Sequence, residues 1–148
     1  MTDGVCGRVA GDFRKDKPGK NGLSSFASAV QRAGRLDVII IALGTNDLQQ
    51  RHRQTADDIM KSLLAYRQVA KSITTIFILP PAFDIGDVSG PEFTENSEKI
   101  RQQLLQRQDE LGNRLELTDI NLSDGIHFSP KGHYQVFKTV RRQLKLYL

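Results

Sequence analysis

Two short segments of this 148-residue chain carry side chains whose types and spacing could do chemistry. Asp124-Gly-Ile-His127 sets a carboxylate three residues before an imidazole. At that spacing the carboxylate can accept the Nδ1 proton, which fixes the tautomer and leaves Nε2 free as a general base. Gly44-Thr45-Asn46-Asp47 directly follows the most apolar stretch of the sequence, and Cys6-Gly7-Arg8 opens the chain as a loop. Taken alone, Gly44 to Asp47 reads as a turn, and Asp124 and His127 as a surface carboxylate beside a packed or capping imidazole. Ligands of parallel α/β sheets bind at the carboxyl ends of the strands. Both segments, in order, at strand ends of one α/β domain favour a site over two unrelated turns.

The elements that must position them follow from periodicity. From about residue 21 the chain alternates helix and strand, the pattern of an α/β domain with a mainly parallel sheet. Leu23, Phe26, Ala27 and Val30 recur at helical spacing, and Gly34 is placed to end that helix. Residues 37–43 are β-branched and apolar on both alternating faces, as in a strand buried on both sides. Thr55 is placed to cap a second helix whose inward stripe is Ile59, Met60, Leu63 and Leu64 with Tyr66 or Ala70. Residues 74–79 form another strand, which Pro80-Pro81 stops because two missing amides cannot extend a ladder. Residues 82–93 read as a loop able to overhang a site. Thr94 starts a third helix carrying Ile100, Leu104, Gln108 and Leu111, closed by Gly112, and residues 115–117 make a short strand. Ser129-Pro130 joins a cap to an N1 proline and opens a last helix, whose buried face is expected to be Tyr134, Phe137, Val140 and Leu144.

Composition narrows the function classes. Residues 1–148 read as one domain, 39% hydrophobic and 26% charged, too apolar for disorder. The longest apolar run, Val38 to Leu43, is far shorter than the roughly 20 residues of a membrane span. A single cysteine, Cys6, excludes an internal disulfide framework and a cysteine zinc cluster. The histidines show no H-x-x-x-H or H-E-x-x-H spacing, and a hydrolytic histidine needs no metal, so neither metal nor cofactor is expected. No Walker A loop and no G-x-G-x-x-G occurs. A net charge of +4 is small, and Lys138, Arg141, Arg142 and Lys145 read as the exposed face of the last helix, so nucleic acid is not the expected partner. Localisation stays open: the chain reads as soluble, and as cytoplasmic if no export signal precedes it.

Leu43-Gly44-Thr45-Asn46-Asp47, followed by Asp124-Gly-Ile-His127-Phe-Ser-Pro-Lys-Gly132-His133, resembles the third and fifth sequence blocks of the SGNH (GDSL) hydrolases. Gly4-Val5-Cys6-Gly7-Arg8 is similar to their second block, and Asn21-Gly22-Leu23 opens the next helix as it often does there. The resemblance implies a flavodoxin-like α/β/α sandwich with a parallel sheet, and hydrolysis of carboxylic esters or thioesters through an acyl-enzyme. By position it makes His127 the base, Asp124 its orienter, and Gly7 and Asn46 oxyanion donors. An Asn amide and a glycine that permits close backbone approach suit that task. Asp47 is expected to hold the turn, His133 to be structural and His52 to be a solvated loop residue.

The chain departs from the family in one respect. No Gly-Asp-Ser block is present, and only six residues precede Gly7. The expectation is therefore a domain whose first strand and nucleophilic serine lie outside these residues, so that this form is inactive. Cys6, the most nucleophilic group near a donor, is read as filling a small-residue slot at a strand end, and Ser24, Ser25 and Ser28 fall on a helix. Without the first strand, the edge of residues 37–43 is unpaired and expected to drive self-association. The alternative is a non-catalytic interaction module on an SGNH scaffold. A polyanion-binding domain ranks below both, and its mark would be steep salt dependence.

Overall fold

The computed structural model describes residues 2–86 and 92–147. Its elements run α1 (Gly22–Ala33), β1 (Val38–Ala42), α2 (Ala56–Ala70), β2 (Thr74–Ile78), α3 (Glu95–Gln106), β3 (Arg114–Leu115) and α4 (Pro130–Leu144). The sheet is parallel throughout in the order β1-β2-β3, with Ile40 opposite Ile76 and Ile78 opposite Leu115. This is an α/β architecture with helices on both faces. Alternation along β1 and β2 sends Ile39, Ile41 and Phe77 into one cluster with Ile59, Met60, Leu63 and Tyr66 of α2 and Leu104 of α3. Leu23, Phe26 and Val30 of α1 pack against the same cluster. The opposite faces of Ile76, Ile78 and Leu115 meet Val140 and Leu144 of α4.

Local chemistry explains where the helices begin. The Thr55 hydroxyl accepts from the Asp58 amide at 3.2 Å, and the Asp58 carboxylate accepts from the Thr55 amide at 3.0 Å. That reciprocal pair satisfies two orphan donors of α2. Ser129 accepts from the Gly132 amide at 3.1 Å, with Pro130 at the first helical position of α4. At α3 the hydroxyl of Ser97 accepts from the Thr94 amide at 3.2 Å and donates to the Leu48 carbonyl at 2.7 Å. One side chain thereby fastens the helix start to the segment after β1.

Several expectations need correction. The third helix stops at Gln106, and Gln108 and Leu111 belong to a separate 3-10 turn, Gln108–Leu111. Arg107 sits between them, paired with Glu110 at 2.7 Å and also with Asp57. Strand β3 falls one residue earlier than expected and is two residues long. Tyr134 and Phe137 are exposed, at 60% and 54%, because only Val140 and Leu144 of their stripe reach the sheet. Strand β1 is likewise not buried on both faces: Ile40 is 37% exposed and Ala42 is exposed, and among the described residues Val38 is the β1 side chain that packs on the Ile76, Ile78 and Leu115 cluster under α4. Beside it, a groove of about 530 Å³ runs between α1 and the unpaired edge of β1. Gly90 and Pro91 of the 82–93 loop lie outside the described residues.

Candidate active site

The turn after β3 is built around Asp124. Its Oδ1 accepts from the amides of His127 at 2.7 Å and Ile126 at 3.2 Å, which folds the four residues into a tight loop. Its Oδ2 lies 2.7 Å from His127 Nδ1. The His127 amide, then its ring, hold the Asp124 carboxyl far down, at about 2. An ionised carboxylate at Nδ1 makes that nitrogen the protonated one, so Nε2 carries the lone pair. The loop is fixed from both sides. Ser123 donates to the His127 carbonyl at 2.8 Å, and the Asp84 amide donates to the Gly125 carbonyl at 2.9 Å. Behind it α4 comes very close: a Cβ at Gly132 would lie 2.1 Å from the Asn121 carbonyl oxygen, so glycine is required there.

The segment after β1 supplies the opposite wall. The Asn46 Nδ2 donates to the Arg8 carbonyl at 2.9 Å, and Gln49 Nε2 faces the Asn46 Oδ1 at 3.4 Å. The orientation of this amide follows from chemistry, since a carbonyl can only accept: Nδ2 must face Arg8 and Oδ1 must face Gln49. One N–H of Nδ2 then remains for a ligand. Gly7 occupies a turn closed by the Arg8 amide on the Val5 carbonyl at 3.1 Å, and its φ of +70° calls for glycine. The adjoining carbonyl of Arg8 is the one that Asn46 holds.

Asn46, Asp124 and His127 line one cavity of about 410 Å³, together with Thr45, Phe93 and Phe128. Gly7 is not among its lining residues and is joined to it through Arg8 and Asn46. His133 lines it too, from the first turn of α4, with its ring edge-to-face on Phe128, 5.5 Å between centroids. Thr45 is the one hydroxyl side chain lining it among the described residues. Glu92 and Phe93, at the described end of the 82–93 loop, reach the rim beside Pro81, with Arg51 paired to Glu92 at 2.7 Å. Gln49 and Phe93 were not singled out by sequence; Gln49 lies three residues after Asn46, and Phe93 ends the 82–93 loop.

Three further expectations change. Cys6 fills no packed slot but is exposed on its turn. His52 is half-buried against Phe13, with ring centroids 5.3 Å apart, and burial lowers its pKa. Asp47 does more than hold its own turn: it is 1% exposed and accepts from Ala10 and Gly11, far back in the chain. Among the described residues, no group of three or more His, Cys, Asp or Glu is arranged to hold a metal ion. No described helix is long and apolar enough to cross a membrane.

No family model and no curated protein sequence matches the chain. Solved structures do. The aryl esterase of M. smegmatis superposes with a TM-score of 0.87 at 20% identity, covering 100% of this chain and 78% of the esterase. A carbohydrate acetylesterase from Sinorhizobium meliloti gives 0.83 at 16% identity, over 100% of this chain and 78% of the other. A GDSL-like lipase from Bacteroides thetaiotaomicron gives 0.73 at 17% identity, over 99% and 75%. The chain has the fold of the SGNH (GDSL) hydrolases.

Proposed function

We propose that this domain is the larger part of a carboxylic-ester or thioester hydrolase of SGNH type. One observation carries the reading: the ionised Asp124 holds His127 Nδ1 at 2.7 Å in the cavity that Asn46 also lines. Nε2 takes the proton of an attacking serine, whose oxygen bonds to the ester carbonyl carbon. The free N–H of Asn46 and the Gly7 amide stabilise the oxyanion. His127 then protonates the leaving alcohol, and water repeats the sequence on the acyl-enzyme to release the acid. The serine comes from a segment outside these 148 residues, an apolar strand ending in Gly-Asp-Ser, and without it this form is inactive. Similarity in fold to esterases and a GDSL-like lipase supports the ester class.

The experiment compares hydrolysis of 4-nitrophenyl acetate by the 148-residue chain and by a chain extended with that segment. Activity only in the extended chain is the expected result. An extended chain carrying Gly-Asp-Ser that hydrolyses no short acyl ester would overturn the reading.

A second part of the proposal concerns partners. The unpaired edge of β1 and the exposed Ile40 beside it favour self-association through this strand. The same open apolar face is the observation that favours the alternative, a non-catalytic interaction module. In that case the chain binds a partner at β1 and the extended form stays inert toward esters.

A further inference from the structure

We propose that Asp47 is a positioning residue that sets the spacing of the two oxyanion donors, clamping the loop that carries Gly7 against the segment that carries Asn46. The inference rests on the reading of Gly7 and Asn46 given above. Asp47 is 1% exposed, and no cation is paired with it among the described residues. Its Oδ2 accepts from the Ala10 amide at 2.8 Å, and its Oδ1 reaches the same amide at 3.0 Å and the Gly11 amide at 3.5 Å. From the other side, the buried Tyr66 hydroxyl of α2 donates to the Ala10 carbonyl at 2.8 Å. Both polar groups of Ala10 are thus held by side chains rather than by a strand partner. Residues 5–11 have only an isolated bridge, Val9 to Asn21, so no ladder fixes their position.

Two consecutive residues therefore grip this loop. Asn46 takes the Arg8 carbonyl, and Asp47 takes the amides of Ala10 and Gly11. Because Asn46 and Asp47 share a backbone, fixing Ala10 to one fixes Gly7 relative to the other. An unpaired carboxylate held from water is costly, which is why a side chain that merely filled this space would be apolar. What a carboxylate adds is two acceptor oxygens, and both are used on the loop. A shift of about 1 Å between donors is enough to impair an oxyanion site.

The test reads the donors directly, without turnover. Nitrogen-15 NMR of the 148-residue chain follows the Gly7 amide and the Asn46 side-chain NH₂ in the wild type, Asp47→Asn and Asp47→Ala. In Asp47→Ala both signals are expected to move. Exchange of the Ala10 and Gly11 amides should rise at least about tenfold beyond that of the core amides of Leu63 and Leu104. Asp47→Asn keeps one acceptor oxygen and restores the wild-type positions. If Asp47→Ala does not fold, a pH titration decides. Burial raises the Asp47 carboxyl to about 6 against the Ala10 and Gly11 amides that lower it, and the titratable group that senses its charge is Tyr66 of α2. The Gly7 and Asn46 signals should follow the Asp47 titration in the wild type and lose that component in Asp47→Asn. Donor signals that stay in place in Asp47→Ala while only thermal stability falls, or that ignore the titration, would overturn the proposal. Because no ester is cleaved in this test, a failure of hydrolysis in the extended chain refutes the functional reading separately.

Discussion

Asp124 shows how one carboxylate can fix both the shape of a loop and the tautomer of an imidazole. Its Oδ1 is committed to the amides of Ile126 and His127, which leaves Oδ2 for the ring. The same geometry dictates what Asp124→Asn would do. Two backbone donors hold the Asn carbonyl oxygen in the Oδ1 position, so its NH₂ must face Nδ1, and the imidazole must carry its proton on Nε2. Ring nitrogen-15 NMR of the 148-residue chain should therefore show Nδ1–H in the wild type and Nε2–H in Asp124→Asn; an unchanged tautomer would contradict the assignment. The depressed Asp124 pKa, about 2, also fixes a sign. A depressed carboxylate favours the folded loop above its unfolded value of about 3.9, and that contribution disappears as pH falls toward 2. Above about pH 4 the orienting charge of Asp124 is complete. Much of this was legible in sequence, because a three-residue spacing is local. The burial of Asp47 was not, because its partners lie 37 and 36 residues away.

Strands and helices were readable to the extent that their signals are local. Thr55, Ser129-Pro130 and the proline pair after β2 each mark a boundary through backbone donors they satisfy or lack. Apolar periodicity could not show where a face finds no partner. Tyr134, Phe137, Val140 and Leu144 form one stripe on α4, yet only the last two pack on the sheet. The same limit applies to β1, whose alternation sends Ile39 and Ile41 inward and leaves Ile40 exposed on a strand with one neighbour. An apolar edge strand of this kind is a template for pairing. Sedimentation of the chain should show concentration-dependent association, and Ile40→Lys should shift it toward monomer by placing a charge beside the edge. A wild-type chain that sediments as a clean monomer and unfolds cooperatively would contradict pairing through β1.

The three layers bring together segments that the sequence separates widely. Residues 5–11, the turn after β1 and the turn before α4 converge because parallel strands place their carboxyl ends on one side. The sequence motifs singled out Asn46, which follows β1, and Asp124 and His127, which lie between β3 and α4, while the walls supplied by Phe93 and Gln49 depend on packing that no short motif encodes. Gly7 joins through hydrogen bonds to its neighbours rather than by lining the cavity. The central claim is that His127, oriented by Asp124, is the base of an ester hydrolase. Its most direct test is the kcat of the extended, serine-bearing chain on 4-nitrophenyl acetate before and after His127→Ala. The expected result is a fall of about 10⁴-fold or more, because nucleophile and base act as a unit. Hydrolysis that persists undiminished in His127→Ala would contradict the claim.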